Sequence, residues 1–438
     1  MPAHDLLDDL KFRGQVHQST DEAALRKHLV TGLETPGGRK VYCGFDPTAD
    51  SLTIGNLVSI MGLRRFQLAG HTPVVVMGGG TGMIGDPSGK SAERQLQSLE
   101  TVAANVKSQE RIFRALLSFE GPNAATIVNN ADWLGKLNYI ELLRDIGKHF
   151  SVNEMIKRDS VRDRIAREQG ISYTEFSYVI LQAYDYLHLF RDMGVTVQIG
   201  GSDQWGNIVS GSDLIRRLAG DDSAAGRAES HALTWPLITK ADGTKFGKTE
   251  SGAVWLTKER TSPYAFYQFW LNSADADVVK FLKTFTVLSH DEINTLAAAH
   301  AADPGRREAH RALARHMTQM LHGRDELARA EAAAGALFSG EVASLDLATL
   351  TEVFASVPSS THNKAELAAE GLPIIDLLAQ TTLAKSKREA REHLSTGAVT
   401  LNGEKVDENA RLTPTKLLHA SLALLRRGKK SWHVTRWE

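Results

Sequence analysis

At 438 residues, with 42% hydrophobic and 24% charged side chains, the chain is too long for one compact core; two or three domains are expected, and no apolar run approaches bilayer-spanning length. The single cysteine, Cys43, excludes an internal disulfide and a multi-cysteine zinc site, and the sixteen histidines show no HExxH or similar spacing, so no protein-bound structural metal is expected. The formal net charge of −1 is unevenly shared: residues 371–438 hold 12 Lys+Arg against 7 Asp+Glu (+5), which leaves −6 for residues 1–370. A small basic module on a mildly acidic body makes nucleic acid the first partner to consider.

The N-terminal stretch MPAHDLLDDLKFRG has neither a basic n-region nor an apolar h-region, which predicts a cytoplasmic protein with no membrane partner. Apolar runs at VYCGF (41–45), PVVVMG (73–78), ATIVN (125–129), VTVQI (195–199) and TWPLI (234–238) alternate with helical stretches. Their continuous hydrophobicity predicts an α/β fold, with a parallel sheet covered on both faces and ligands collecting beyond the carboxyl ends of the strands. Residues 262–350 lack strand-like runs and are rich in Ala, Leu, Glu and Arg, which predicts a helical domain. FASVPSSTHNKAELAAEG (354–371) reads as a linker. Beyond it, a helix with Lys385, Lys387, Arg388 and Arg391 leads into AVTLNGEKV, where Asn402-Gly403 predicts a hairpin. The expected boundaries are 1–240 for the sheet domain, 241–353 for the helical domain, 354–371 for the linker and 372–438 for a small α+β module.

Five constellations compete for the chemistry. After the first run, DPTADSLTIGNL (46–57) leaves a strand through small residues and enters a helix whose face carries Leu57, Ile60, Met61 and Leu68. Such a turn is either an ordinary connection or an anion site, since free N–H groups and the helix dipole favour negative charge. GGGTGMIGDPSGKS (78–91) has Gly80, Gly82 and Gly85 in GxGxxG spacing, but Glu100 lies in a polar helical stretch and three residues separate Gly85 from Gly89 where a phosphate loop needs four. A dehydrogenase and a P-loop NTPase are therefore defective matches, kept beside a third reading, a glycine-lined loop that borders a ligand with Asp86 pointing into it; a dehydrogenase would bind a nicotinamide cofactor and be indifferent to tyrosine. On EFSYVILQAYDYLHLF (175–190), Tyr178, Gln182 and Asp185 form a narrow polar stripe, either a solvent-facing edge or a pocket wall for a small hydroxylated amino acid. In IGGSDQWGN (199–207) Asp203 is an N-cap or a ribose acceptor, and in KADGTKFGKTES (240–251) the two lysines that bracket Phe246-Gly247 mark either a solvated turn or a cation pair for a polyphosphate.

Taken together, YCGFDPTADSL, GGGTGMIGDPSGK, YTEFSYVILQAYDYL, QIGGSDQWGN and TKADGTKFGKTESG resemble the bacterial tyrosyl-tRNA synthetases, class I aminoacyl-tRNA synthetases, along almost the whole chain. The resemblance implies a Rossmann-like catalytic domain, an all-α domain on the anticodon side beginning with the KFGKT loop, and a small α+β S4-like RNA-binding domain. It sets TIGN (53–56) where the family carries HIGH and KFGKT (245–249) where it carries KMSKS. Activation of L-tyrosine by ATP, with Mg²⁺, and transfer to tRNA(Tyr) are implied, in a homodimer without a tightly bound cofactor.

Carried onto this sequence, the resemblance gives Tyr42 and Asp185 to the substrate phenol, and Tyr178, Gln182 and Asp86 to its amino group. Gly44 and Asp46 line the pocket, with Gln204 near the carboxylate. Thr48, Thr53, Gly55, Asn56, Asp203 and Lys248 would bind ATP, with Asp203 on the ribose. Lys90, Arg94, Lys245, Lys248 and Thr249 would close over pyrophosphate, and Lys385, Lys387, Arg388 and Arg391 would meet RNA phosphates. Thr53 and Asn56 replace both histidines of HIGH, which implies slower adenylate formation and leaves a non-catalytic, synthetase-like RNA-binding protein as the alternative. KFGKT, the Tyr178/Gln182/Asp185 stripe and Asp203 argue against that alternative.

Overall fold

The structure is a computed structural model that describes residues 5–88, 97–166, 170–219, 229–241, 243, 246–249, 252–355, 357–367, 370–428 and 431–438. Two compact units divide the chain, Met1–Ser262 with Phe269–Leu321, and Pro263–Gln268 with His322–Glu438.

The first unit is built on a six-stranded sheet of β1 (Gln18–Ser19), β2 (Lys40–Phe45), β3 (Thr72–Met77), β4 (Thr126–Asn129), β5 (Val195–Gly201) and β6 (His231–Trp235), in the order β1-β6-β5-β2-β3-β4. All pairings are parallel except the β1 edge. Every residue of β3 is buried, as expected for a strand covered on both faces. One face, bearing Tyr42, Val74 and Val76, packs against Ala183, Tyr186 and Leu187 of helix Tyr173–Met193 and Leu214 and Ile215 of helix Trp205–Ala219. Helix Leu57–Leu68 meets β5 and β6 at Gly62, where a Cβ would lie 2.8 Å from Trp235 and 3.6 Å from Ile199. Strand β6 ends at Trp235 rather than running over the expected TWPLI, because Pro236 has no N–H to offer the ladder.

The chain passes from β2 outward to β3 and β4 and then returns to β5 on the other side of β2. That reversal is a topological switch point, where a crevice opens beyond the strand ends. The segments leaving β2 and β5, which carry Asp46 and Asp203, therefore border one crevice.

Helices fill residues 263–353, as expected, but residues 269–321 belong with the parallel sheet. Arg65, buried on helix Leu57–Leu68, donates to the carbonyls of Thr284 at 2.7 Å and Thr286 at 2.9 Å, at the end of helix Asp275–Phe285. This guanidinium satisfies carbonyls that a helix end leaves open. Arg65→Ala is expected to cost about 3 kcal/mol through lost packing and unpaired carbonyls. The midpoint of urea unfolding measures it, and an unchanged midpoint would show that Arg65 does not hold these elements together.

Strands β7 (Lys248–Thr249) and β8 (Gly252–Ala253) form a short antiparallel pair. Just before β7, Phe246 is buried against Phe269, Trp270, Phe281 and Phe285, with ring centroids 5.0–6.1 Å apart. An apolar anchor thus sits between the two lysines of KFGKT, so the segment is not simply a solvated turn.

In the second unit, β9 (Ser359–His362), β11 (Val399–Leu401), β12 (Glu404–Lys405), β14 (Leu422–Arg427) and β15 (Ser431–Trp437) form a sheet in the order β12-β11-β14-β15-β9, and β10 (Leu372–Pro373) pairs with β13 (Arg411–Leu412). The segment 354–371, expected as a linker, contains β9, which pairs in parallel with β15. Ser359–His362 is too short and polar to announce itself as a strand. The Asn402-Gly403 hairpin is present, with φ of 51° and 95°, as a two-residue primed turn requires. Ala390 and Leu394 of helix Lys387–Ser395 enter a core with Leu377, Val399, Leu425 and Trp437.

Candidate active site

The crevice is built around the end of β2. Gly44 is the one exposed residue of that strand, and a Cβ there would meet nothing within 4 Å, so the floor is open. Asp46 follows, its Oδ1 accepting from Thr81 Oγ1 at 2.7 Å and its Oδ2 from Tyr178 Oη at 3.0 Å. A Cβ at Gly78 would lie 2.1 Å from Asp46 Oδ1, so the first glycine of GGGTG makes room for this carboxylate. The glycine run therefore shapes the pocket wall, with a 3-10 turn at Thr81–Met83 in place of a phosphate loop and helix.

Deeper in, Tyr42 is buried beside Tyr186 at a ring separation of 5.2 Å, and its hydroxyl has no hydrogen-bond partner among the described residues. An orphaned buried hydroxyl is costly and marks a place where a polar ligand group fits. Asp185 is also buried; its Oδ1 accepts from Trp133 Nε1 at 2.7 Å and its Oδ2 from Asn130 Nδ2 at 2.9 Å. Burial pushes Asp185 up to about 7, while the bonds from Asn130 and Trp133 favour its ionised form. Burial, with Asp185 nearby, pushes the Tyr42 phenol well above its ordinary range. The Tyr178/Gln182/Asp185 stripe is not a solvent edge, since Tyr178 and Asp185 are buried and Gln182 is half-buried.

Asn130 and Trp133, which bond both oxygens of Asp185, are the neighbours of this stripe that the sequence does not announce. Asn130 bridges three elements: its Oδ1 accepts from Gly80 N at 2.7 Å, and its Nδ2 donates to Thr81 Oγ1 and to Asp185. The available signal is position, because NADW (130–133) follows directly on the carboxyl end of β4.

On the opposite side, Gln204 Nε2 donates to Asp86 Oδ2 at 2.6 Å, and Ser88 N donates to Asp86 Oδ1 at 2.9 Å. Asp203 lies exposed in the 3-10 turn Ser202–Gln204 that follows β5. The DPTADS loop, including exposed Thr48, is pinned from helix Leu99–Leu116, where Asn105 Nδ2 donates to Pro47 O at 3.0 Å and Gln109 Nε2 to Ala49 O at 2.8 Å.

TIGN forms the entry to helix Leu57–Leu68. Asn56 Oδ1 accepts from both the N–H and the hydroxyl of Thr53, each at 3.0 Å, so the two residues are tied to each other. The exposed Gly55 leaves the turn approachable. Gly247 of KFGKT sits against this turn: at φ +85°, a Cβ there would lie 2.7 Å from Ile54 Cγ2 and 3.6 Å from Gly55 N. Val254 O accepts from Ile54 N at 2.9 Å and completes the junction. The two signature segments are thus adjacent. Lys90, Arg94 and Lys245 lie outside the described residues, as do the side chains of Lys248 and Thr249.

Lys385, Lys387, Arg388 and Arg391 are all exposed in the second unit. The helix begins at Lys387, after Lys385, because Ser386 caps it by accepting from Glu389 N at 3.2 Å. Lys387 Nζ is already paired with Asp376 Oδ1 at 2.8 Å.

A parallel sheet with a ligand crevice at its switch point, a glycine-bordered turn opening a helix, and a lysine-bearing loop docked on that turn define a class I synthetase architecture. The model of the class I tRNA synthetases (W and Y) matches residues 37–339, and that of the SYY-like C-terminal domain of tyrosine–tRNA ligases matches residues 349–435. A Geobacillus kaustophilus tyrosine–tRNA ligase is 50% identical over 436 residues, covering 99% of this chain and all of that one. A tyrosine–tRNA ligase of Chromobacterium violaceum is 50% identical over 446 residues, covering 99% of each chain. The crystal structure of a C-terminally truncated Aspergillus nidulans mitochondrial tyrosyl-tRNA synthetase superposes with a TM-score of 0.68 at 29% identity, covering 77% of this chain and 95% of that one. The chain belongs to the class I tRNA synthetases of the W and Y group.

Proposed function

We infer that the protein is a tyrosine–tRNA ligase, which activates L-tyrosine with ATP to tyrosyl-adenylate and pyrophosphate and then transfers the tyrosyl group to the terminal adenosine of tRNA(Tyr). The observation that carries this reading is the pairing of an unpartnered, buried Tyr42 hydroxyl with the buried Asp185 carboxylate. A substrate phenol accepts from the first and donates to the second; phenylalanine would leave both unsatisfied. Relatives at 50% identity that carry the name tyrosine–tRNA ligase support the same substrate.

Tyr178, Gln182 and Asp86 receive the substrate ammonium, with Gly44 and Asp46 lining the same pocket and Gln204 near the carboxylate. The tyrosine carboxylate attacks the α-phosphate of ATP, which enters as its Mg²⁺ complex. Positioning and charge stabilisation do most of the work in such a transfer, and no dedicated general base is needed. Asp203 accepts from the ribose, while Thr48, Thr53, Gly55, Asn56 and Lys248 border the nucleotide. Lys90, Arg94, Lys245, Lys248 and Thr249 neutralise the departing pyrophosphate. Exchange of labelled pyrophosphate into ATP tests the assignment. It should require tyrosine and be followed by charging of tRNA(Tyr); no exchange with intact tRNA binding would make the chain a non-catalytic RNA-binding relative.

The bond between Thr53 and Asn56 changes what a substitution at 53 can do. Thr53→His removes the hydroxyl that Asn56 Oδ1 accepts from, so the single variant is expected to gain less in exchange rate than Thr53→His with Asn56→His. The pair should gain about tenfold, equivalent to about 1.4 kcal/mol. An unchanged or slower pair would show that TIGN is not suboptimal here.

Lys385, Lys387, Arg388 and Arg391 would contact tRNA phosphates, giving a salt-dependent affinity. A homodimer is supported by exposed apolar residues between 139 and 173, including Tyr139, Ile140, Val152 and Tyr173, each more than half exposed in one chain. Sedimentation velocity is expected to give a dimer for the parent and a monomer for Ile140→Glu; a monomeric parent would contradict it. A cytoplasmic location fits a translation enzyme, and among the described residues no helix is long and apolar enough to cross a membrane.

A further inference from the structure

Away from the crevice, unpartnered buried polar atoms gather where the start of helix Asp275–Phe285 meets the end of helix His290–Ala302 and the start of helix Glu308–His322. His310 is fully buried, and among the described residues its ring nitrogens make no well-aligned hydrogen bond, the Ser273 backbone being only a weak neighbour. His300 Nδ1 and Ser273 Oγ are likewise buried and unpartnered. Folded proteins rarely leave so many polar atoms unsatisfied in one place without a ligand.

The chemistry of the group points to a cation. One ligand atom from each of Asp275, His300 and His310 lies within 4.8 Å of the others. His300 Nε2 donates to the Asp275 backbone carbonyl at 3.0 Å, which fixes its tautomer and leaves the Nδ1 lone pair free. His310 Nε2 is 3.3 Å from Asp275 Oδ1 but not aligned to bond it. Two ligands held at about 2.0–2.1 Å on a tetrahedral zinc ion lie about 3.3 Å apart, which is this spacing. The nearby Arg307 is tied to the Leu271 carbonyl.

We propose that Asp275, His300 and His310 form a binding site for one divalent transition-metal ion of the zinc class, which clamps three helices together outside the active site. Two imidazoles and a carboxylate suit zinc, cobalt or nickel better than magnesium or calcium. Three separate helices supply the ligands, so no short sequence motif announces the site. A second group, His28, Glu229 and His231, has similar proximity, but both ring nitrogens of His28 are engaged, with Glu229 at 3.1 Å and Thr196 at 2.8 Å. It serves as the comparison.

Cobalt titration of the full, untagged chain tests the proposal, because tetrahedral Co²⁺ shows visible ligand-field bands that Zn²⁺ abolishes by displacement. One equivalent should develop the bands. Asp275→Asn and His300→Gln should each weaken Co²⁺ by about tenfold or more, and His231→Phe should leave it unchanged. The exposed Asp275 makes the first variant safe for folding, and circular dichroism of the metal-free proteins checks both. No bands at one equivalent, undiminished affinity in both variants, or loss of the bands on His231→Phe would overturn the site.

Discussion

Asp185→Asn is expected to lower kcat/KM for tyrosine in pyrophosphate exchange by about 10²-fold to 10³-fold, while the KM for ATP changes little. The ionised carboxylate accepts from Trp133 Nε1 and Asn130 Nδ2, and in the proposed complex from the substrate phenol as well. An asparagine must aim its own amide N–H groups at one of these donors. Losing a charged acceptor costs about 1.5–3 kcal/mol, and the resulting donor–donor conflict adds about 1–3 kcal/mol. The pH dependence follows from the same residue. Because burial raises Asp185 to about 7, kcat/KM for tyrosine should rise with pH through about 7 and level off above it. The ligand-free fold has the opposite dependence on this group: its pKa is raised on folding, so its contribution to stability is full below the unfolded carboxylate range and is lost as pH rises through about 7. Steady-state kinetics across pH for the parent and Asp185→Asn measure this; an identical rising limb in both would remove Asp185 from the phenol site.

Gly247→Val is expected to reduce kcat for adenylate formation by about 10²-fold and to leave tyrosine affinity near the parent value. Gly247 has φ +85°, where a β-branched residue is strained, and a Cβ would strike Ile54 Cγ2 at 2.7 Å. Strain and overpacking of this kind cost about 2–4 kcal/mol together. The strain is relieved by moving the β7–β8 segment off the TIGN turn rather than by unfolding, because Phe246 remains anchored in its aromatic cluster. The proposed pyrophosphate cations would then be displaced from the nucleotide. Pre-steady-state measurement of adenylate formation separates this from a binding defect, and a parent-like rate would show that the docking of KFGKT on TIGN is not needed for the chemistry.

What was legible in the sequence was the part written in local patterns. Continuous apolar runs gave β2, β3, β4 and β5 within a residue or two, and the spacing of Tyr178, Gln182 and Asp185 placed them on one helix. Their direction, inward rather than to solvent, was not decidable from spacing, because a narrow polar stripe suits either environment. Asn130 and Trp133 escaped notice because their bonds reach residues such as Thr81 and Asp185 that are far away in the chain. Strand β6 ends at Trp235 because Pro236 cannot donate to a ladder, and it starts at His231, ahead of the apolar run TWPLI. Strand β9 was hidden because Ser359–His362 takes its strand form from β15 rather than from its own residues. The Asp275/His300/His310 cluster is likewise a product of helix packing, invisible to any search for short ligand spacings.

The most direct measurement is a structure of the protein with L-tyrosine and a non-hydrolysable ATP analogue. The account predicts the substrate phenol within about 3 Å of both Tyr42 Oη and an Asp185 oxygen, its ammonium beside Tyr178 and Asp86, and the triphosphate at the TIGN turn. A tyrosine ring bound elsewhere, with the Tyr42 hydroxyl still unpartnered, would contradict it.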